Sequence, residues 1–317
     1  MGRNSIRVSI ITSYYKGFRY LEDFFTAVVA QTIFSLTEIV FINNDPTPEE
    51  LSIVESFQNK YPDHIQHIVV KPMESIGKSW NRAWLTAKGE YLCIWNVDDR
   101  RPPDSLEQQF YLLDNSPLAV LTYGDYIIVP EYGLETGLYR ITPRFQKRLF
   151  SRKFPQGGAF YMWRRRLGKQ ICYFDEQLKT GMDFDFSVRI AMNNLYMKRS
   201  DQLAGFFTDA NQGLSTRGER LLSATERTVI QLRYGIYDLV HPEYLDASSQ
   251  YRVGHIFVND QWYPMEKLVP NYQYYIKRRK FLWILGYLRN VLRCLLDHLG
   301  VLEVIHALLL RSKYREV

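Results

Sequence analysis

Short apolar runs alternate with segments of helical periodicity through the first hundred residues. We predict buried strands where several mostly apolar residues stand together, at 7–13, 37–43, 65–70 and 90–97. Helices are predicted at 20–31 and 80–87, where large apolar side chains recur at helical spacing. Strands that alternate with helices indicate an α/β fold with a predominantly parallel sheet.

The predicted strand at 90–97 leads directly into two neighbouring carboxylates, Asp98 and Asp99, followed by Arg100 and Arg101. In open α/β sheets, ligands bind at the carboxyl ends of strands. Adjacent carboxylates repel each other and any anionic ligand, so the pair favours a divalent cation such as Mg²⁺ or Mn²⁺. The alternative is a solvated turn in which the acids pair with the two arginines, and the local sequence leaves both interpretations open.

The composition indicates a folded protein of one large domain with an extension, or of two domains. Of 317 residues, 46% are hydrophobic and 15% aromatic, which provides a substantial core and excludes a disordered chain. The formal net charge of +6 is modest for this length. It agrees with a partner that carries phosphates or with an anionic membrane surface, and we expect no nucleic-acid partner.

The three cysteines, Cys93, Cys172 and Cys294, are widely separated. They show neither metal-ligand spacing nor a disulfide framework, which favours a reducing compartment. The first residues lead into a strand without the pattern of a secretory signal, and no apolar run reaches the length of a membrane span. We therefore expect a cytoplasmic protein.

Beyond residue 217 the chain is predicted to form a helical extension, with one helix at 219–239 and two helical segments at 275–315. Basic residues at 277–280 precede the apolar and aromatic stretch FLWILGYLRNVLRCLL. This pattern is typical of a helix that lies on a membrane surface, here the inner face of the plasma membrane. Packing against the protein's own body, or a dimer interface, suits it equally well.

Seven segments resemble, in order, the family 2 glycosyltransferases. The nucleotide-binding half is represented by VSIITSYYKGFRYLEDFFTAVVAQT, TEIVFINNDPT, GKSWNRAWLTAKGEY and NVDDRRPPDSL, and the acceptor half by FPQGGAFYMWRRRL, CYFDEQLKTGMDFDFSVRIA and NQGLST. The resemblance covers roughly residues 5–216. It implies a GT-A fold, a three-layer α/β sandwich, and inverting transfer of a sugar from a nucleotide-diphosphate donor with Mn²⁺ or Mg²⁺.

The resemblance also implies a domain organisation. A GT-A domain would occupy residues 1–216, with a nucleotide-binding half at 1–105 and an acceptor half at 106–216, and the helical extension would occupy 217–317. Many such enzymes act on lipid-linked acceptors, which favours membrane contact for the extension.

On the donor side, the resemblance implies that Asp99 binds the metal and that Asp98 contacts the ribose or a metal-bound water. The implied donor-binding residues are Thr12, Asn44, Lys78, Asn81 and Asp98. Asn44 can accept a hydrogen bond from uracil or thymine, and Lys78 can meet the diphosphate. The alternatives are an ordinary capping turn for Asn44, strand capping for Thr12 and a solvated Lys78.

On the acceptor side, the resemblance implies that Asp183 is the catalytic base, although an aspartate there also suits a helix N-cap. Asp185 precedes Arg189 by four residues, so we predict a supporting ion pair within one helix. Gly157 and Gly158 would allow close backbone approach beneath the donor sugar and acceptor. The segment 211–215 resembles the loop that closes over the donor in related enzymes.

Four positions depart from the family pattern, where acidic residues are replaced by Asn43, Asn44, Asn96 and Met182. The predicted function is a UDP-sugar-dependent inverting glycosyltransferase that acts in cell-surface polysaccharide or glycan assembly. The departures keep open a catalytically silent protein that binds nucleotide sugars or serves as a scaffold. A nucleotidyltransferase is disfavoured, because segment 13–17 is a poor phosphate-binding loop.

Overall fold

The computed structural model describes residues 5–155, 158–209 and 220–298. Its strands are β1 (Val8–Tyr14), β2 (Thr37–Asn44), β3 (Ile65–Val70), β4 (Tyr91–Ile94), β5 (Ala119–Val129), β6 (Leu138–Arg140), β7 (Met162–Arg164), β8 (Tyr196–Thr208), β9 (His255–Val258) and β10 (Gln261–Pro264). Its helices are α1 (Leu21–Val29), α2 (Pro48–Lys60), α3 (Ile76–Thr86), α4 (Ser105–Asp114), α5 (Lys147–Phe150), α6 (Leu167–Ile171), α7 (Met182–Met192), α8 (Arg220–Arg233), α9 (Leu245–Ser248), α10 (Met265–Leu268) and α11 (Tyr272–His298).

A mixed sheet forms the centre of the molecule, with the strand order β3-β2-β1-β4-β7-β5-β6 and with β8 paired to β5. The four strands of the amino-terminal half are parallel, and Val8 of β1 is in register with Thr37 on one side and Tyr91 on the other. β7 is antiparallel to β4 and β5, whereas β5 and β8 are parallel. The predicted, predominantly parallel α/β sheet is confirmed.

Alternate residues of each central strand enter two separate apolar cores. On β1, Ile10 packs in the core that contains Phe24 of α1, while Ile11 packs in the core that contains Trp84 of α3. Side chains of a strand point to opposite faces in turn, so both faces of the sheet are covered by helices. This arrangement is the three-layer sandwich of the predicted GT-A class.

The chain beyond residue 219 continues the larger core. Val229, Ile256 and Met265 are buried in the same cluster as Trp84 and Phe174. The extension is predicted to be helical, but β9 and β10 form an antiparallel hairpin within it. The predicted boundary at residue 216 lies outside the described residues.

The helix α11 runs for 27 residues with many exposed apolar side chains. Among them are Phe281, Leu282, Trp283, Tyr287, Leu288, Leu292 and Leu295. Within the described ranges, no helix combines the length and apolar character that a bilayer crossing requires, α11 included. Of the two helical segments predicted at 275–315, the structure describes one continuous helix up to residue 298.

Candidate active site

The carboxyl ends of the parallel strands meet at one edge of the sheet, as expected for a ligand site. Thr12, near the end of β1, donates its hydroxyl hydrogen to the Trp95 carbonyl, 2.8 Å away, just beyond β4. The side chain is buried, and this hydrogen bond links β1 to the residue that follows β4. The contact agrees with the strand-capping interpretation and places Thr12 beside the loop that carries the acidic pair.

β4 ends at Ile94, earlier than the predicted strand 90–97, and Asp98 and Asp99 lie at a turn a few residues beyond it. Asp99 is almost fully buried, and its two oxygens accept hydrogen bonds from the Thr208 backbone N–H and from the Asn96 side chain, each at 3.1 Å. Burial, reinforced by the neighbouring charge of Asp98, raises the pKa of Asp99 well above its ordinary value, and burial likewise raises that of Asp98. The solvated-turn interpretation is wrong for Asp99, because this residue is buried.

Arg100 and Arg101 do not neutralise the acidic pair as ion-pair partners. Arg101 is buried and donates to the Gln109 side chain and the Ile94 carbonyl, while Arg100 lies 3.6 Å from Glu135. Two carboxylates are thus held together at a strand end, where the charges of Arg19 and Arg101 offset only part of the effect of burial on their pKa values. Such a pair suits a divalent cation, which takes one or two protein carboxylates and completes its coordination with phosphates.

No cluster of three metal-binding side chains occurs in the part of the chain that the structure describes. Asp98 and Asp99 would therefore hold a metal together with the donor's phosphates and water. The loop 211–215, the other segment predicted to approach the donor, lies outside the described residues.

Asn44, at the end of β2, is buried within hydrogen bonds of the protein. Its side-chain oxygen accepts from the Glu74 backbone N–H, and its amide donates to Ser79, both at 3.1 Å. It does not cap α2, because Thr47 forms the capping box of that helix with Glu50. The Asn44 oxygen keeps a second lone pair that could accept from a nucleotide base, although only 2% of the residue is exposed.

The next helix, α3, carries the other two predicted donor-binding residues. Asn81 is buried, and its oxygen accepts from Phe174 N–H while both amide hydrogens are donated, to the Phe174 carbonyl and to Glu176. These bonds favour a structural role for Asn81 over the predicted contact with the donor. Lys78 lies in the first turn of α3, partly exposed, with its nearest carboxylate on Asp260 at 3.7 Å.

Asp183 is half-buried and is the second residue of α7. The N-cap position belongs to Gly181, so the capping interpretation of Asp183 is wrong. Burial raises the pKa of its carboxyl to about 6, against the lowering effect of the Phe184 N–H that donates to it at 2.7 Å. A carboxyl with a pKa slightly below neutral is ionised at pH 7 and still able to accept a proton, as a general base requires.

Gly158 lies against the Asp183 carboxylate, and Tyr126 is near enough for the charge of that carboxylate to affect its pKa. A Cβ atom added at residue 158 would collide with Asp183, which explains the glycine there. Asp183 also raises the pKa of Tyr126, after the larger effect of burial. Gly157, the other predicted glycine, lies outside the described residues.

Phe160 connects this acceptor-side group to the acidic pair. Its carbonyl accepts from Gln109, which in turn binds Arg101, and its ring lies 6.0 Å from that of Tyr126. The structure therefore brings the turn of Asp98 and Asp99 and the first turn of α7 into one connected region.

Asp185 is completely buried and forms the predicted ion pair with Arg189, at 2.9 Å. It also pairs with Arg233 of α8 at 2.6 Å and accepts from the Tyr234 hydroxyl. Burial alone would raise the pKa of Asp185, but the two guanidinium groups outweigh it and hold the pKa below its ordinary value. With both oxygens paired, Asp185 supports α7 and does not face a substrate.

The family model described as "Glycosyl transferase family 2" matches residues 9–173, which is just over half of the chain. The chain belongs to this family. The resemblance inferred from the motifs is therefore confirmed.

Two curated relatives of this chain carry the description "uncharacterized glycosyltransferase". The one from Methanocaldococcus jannaschii is 24% identical over 192 residues, which cover 58% of this chain and 64% of that protein. The one from Nostoc sp. is 29% identical over 103 residues, covering 32% and 31%. The chain thus spans less than two thirds of the length of either relative.

Solved structures share the fold of this chain at low sequence identity. S. aureus TarS in complex with UDP-GlcNAc aligns with a TM-score of 0.57 and 20% identity, over 78% of this chain and 73% of that one. The mannosyltransferase PcManGT from Pyrobaculum calidifontis, in complex with GDP-Man and Mn²⁺, aligns with a TM-score of 0.54 and 17% identity, over 77% and 69%. These likenesses confirm the predicted GT-A class.

Two residues that are linked electrostatically to Asp183 were not predicted from the sequence. Tyr126 lies in the middle of a strand, and Glu226 lies in α8, more than forty residues from the α7 loop that it binds. Neither position stands out from its local pattern, since only the fold brings them to the site.

Proposed function

We propose that the protein is an inverting glycosyltransferase in which Asp183 deprotonates an acceptor hydroxyl. The observation that carries this proposal is the position of Asp183, half-buried with a raised pKa of about 6 and packed against Gly158. The hydroxyl oxygen would attack the anomeric carbon of the donor sugar on the face opposite the nucleotide. The carbon–oxygen bond to the diphosphate breaks as the new glycosidic bond forms, and Asp183 takes the proton.

The donor side of the proposal rests on Asp98 and Asp99. These carboxylates would hold Mn²⁺ or Mg²⁺, which neutralises the charge that develops on the departing diphosphate. Lys78 lies at the start of α3, where its ammonium group and the N-terminal end of the helix both favour phosphate. The complex of TarS with UDP-GlcNAc and that of PcManGT with GDP-Man and Mn²⁺ support a nucleotide-sugar donor.

We favour a UDP-sugar because the second lone pair of the Asn44 side-chain oxygen can accept a hydrogen bond from the uracil N3–H. Asn44 and Thr12 lie on neighbouring strands at the edge of the sheet where the donor is proposed to bind. The acceptor is proposed to be a saccharide or a lipid-linked saccharide, and the pathway the assembly of a cell-surface polysaccharide or glycan.

We also propose that α11 attaches the enzyme to the cytoplasmic face of an anionic membrane. Phe281 is 60% exposed and Leu288 is 55% exposed, and apolar side chains of this size rarely face water along a whole helix. Lys277, Arg278 and Lys280 are exposed immediately before them, where they can meet lipid phosphates. The alternative occupant of this surface is a second copy of the chain.

Incubation of the protein with a panel of UDP- and GDP-sugars in Mn²⁺, with release of nucleotide as the readout, tests the function. We expect hydrolysis or transfer from at least one UDP-sugar, and its loss in Asp99→Ala. Tight binding of a nucleotide sugar without turnover, in the presence of any candidate acceptor, would support the catalytically silent alternative.

A further inference from the structure

The loop that precedes α7 is bound by one carboxylate from α8. Glu226 is completely buried, and its Oε2 accepts from the backbone N–H groups of Thr180 and Gly181 at 2.7 and 2.9 Å and from the Thr180 hydroxyl at 2.8 Å. Its Oε1 accepts from the Lys179 N–H at 2.7 Å. Three consecutive backbone donors thus converge on a single side chain.

These contacts offset the cost of burying the charge. An isolated buried carboxylate is strongly unfavourable, whereas hydrogen bonds to an ionised group are about twice as strong as neutral ones. The Tyr251 hydroxyl adds a longer contact to Oε1, at 3.4 Å. The two oxygens of Glu226 therefore serve as the acceptors for the whole loop 179–181.

The same loop determines where Asp183 stands. Gly181 is the N-cap of α7, and Asp183 follows two residues later in the first turn. α8 lies close to this point. A Cβ added at Gly181 would lie only 2.8 Å from the Ile230 side chain of α8. Any movement of the loop away from Glu226 is transmitted through the short backbone link to Asp183.

We propose that Glu226 is a positioning residue for sugar transfer, which holds the loop 179–181 so that the Asp183 carboxylate faces the acceptor. The proposal rests on the proposed role of Asp183 as the base. It assigns α8, beyond the region matched by the family model, a part in the chemistry of the acceptor side.

The charge of Glu226 also acts on Asp183. The charged and titratable groups that act on Asp183 are Glu226, which raises its pKa, and Arg227, which lowers it, and Asp183 in turn raises the pKa of Tyr126. Burial is the larger cause of the raised pKa. Loss of the Glu226 charge should therefore move the pKa of Asp183 downward, a change that a purely structural role of Glu226 does not require.

The test is the variant Glu226→Gln, measured as transfer rate against pH. The side-chain oxygen of a glutamine can still accept from the three donors that bind Oε2 in the wild type. Its NH2 group then faces the Lys179 N–H, which is also a donor, so the loop must shift. We expect kcat for transfer to fall at least tenfold with little change in the KM of the donor, and the acidic limb of the pH profile to move to lower pH. Glu243→Gln, the same change at an exposed carboxylate, should keep both wild-type values.

Two conservative variants make the result decisive if Glu226→Gln unfolds. Glu226→Asp keeps the charge, so its acidic limb should match that of the wild type while its kcat falls. Gly181→Ala presses the loop against α8 and should also lower kcat without weakening donor binding. Wild-type kcat in either Glu226 variant, or a fall in kcat that only reflects less folded protein, would overturn the proposal.

Asp183→Asn separates this inference from the proposed function. If that variant turns over normally, the assignment of the base fails. If it is inactive while Glu226→Gln remains fully active with an unchanged pH profile, only the positioning role of Glu226 is wrong.

Discussion

Replacement of Arg233 by methionine should show how much the contacts of α8 with the rest of the protein contribute to the free energy of unfolding. The Arg233 guanidinium is completely buried and pairs with Asp185 at 2.6 Å and with Asp175 at 2.7 Å. It also donates to the Val253 and His255 carbonyls, which lead into the hairpin. Methionine fills a similar volume but leaves both carboxylates short of a partner, and breaking a buried pair in this way costs about 3–5 kcal/mol.

The dependence of this loss on pH follows from the lowered pKa of Asp185. A carboxyl whose pKa is lowered in the folded state stabilises the protein above its unfolded pKa, about 3.9, and loses that effect as pH falls through the folded pKa. The deficit of Arg233→Met should therefore be full at pH 7 and shrink toward acid pH, as Asp185 of the variant becomes protonated.

Urea unfolding followed by tryptophan fluorescence at several pH values measures the deficit directly. Arg227→Met is the control, because Arg227 is exposed on the same helix. We expect the control to stay within about 0.5 kcal/mol of the wild type. A loss below about 1 kcal/mol for Arg233→Met at pH 7, or a loss that grows toward acid pH, would refute this account of the network.

Three further predictions concern the donor site, the acceptor site and the membrane. UDP affinity, measured by calorimetry, should fall at least tenfold in EDTA, and Asp99→Ala should bind UDP equally weakly with and without Mn²⁺; equal affinity in EDTA for the wild type contradicts the metal site. Gly158→Ala should displace the Asp183 carboxylate and lower transfer while UDP affinity stays unchanged, and normal transfer would show that the contact is not needed. Phe281→Asp should weaken flotation with anionic liposomes at low salt, whereas Leu118→Asp, at an exposed site on another element, should not; if the wild type does not float, α11 serves another partner.

The parts of the fold that depend on local pattern could be predicted from the sequence. The strand at 65–70 is found as predicted, and the strand beginning at Thr37 ends one residue later than expected. Asp98 and Asp99 stand out because two acids follow a buried strand, a signal contained within a few residues.

Contacts between distant segments could not be predicted in this way. Asn81 looked like a donor ligand on the basis of the family pattern, but its amide is used by Phe174, 93 residues away. Arg233 and Glu226 are ordinary members of an amphipathic helix until the fold places α8 against α7. Their roles follow from burial and pairing, which local sequence does not encode.

The strands β9 and β10 were missed for a related reason. Each has only four residues, and Asn259 and Asp260 between them adopt positive φ angles that a turn of a hairpin requires. Such short strands are stable because Ile256 and Val258 pack into the main core, not because of their own pattern.

The rate of sugar transfer by Asp183→Asn tests the central claim most directly. A positioned base is worth about 10²–10⁴ in rate, so the barrier should rise by roughly 3–5 kcal/mol while donor affinity stays nearly constant. Asp63→Asn, at an exposed aspartate distant in the sequence, is the matched control and should transfer at the wild-type rate. Wild-type turnover by Asp183→Asn with a true acceptor would contradict the account, and another acid on the acceptor side would have to be the base.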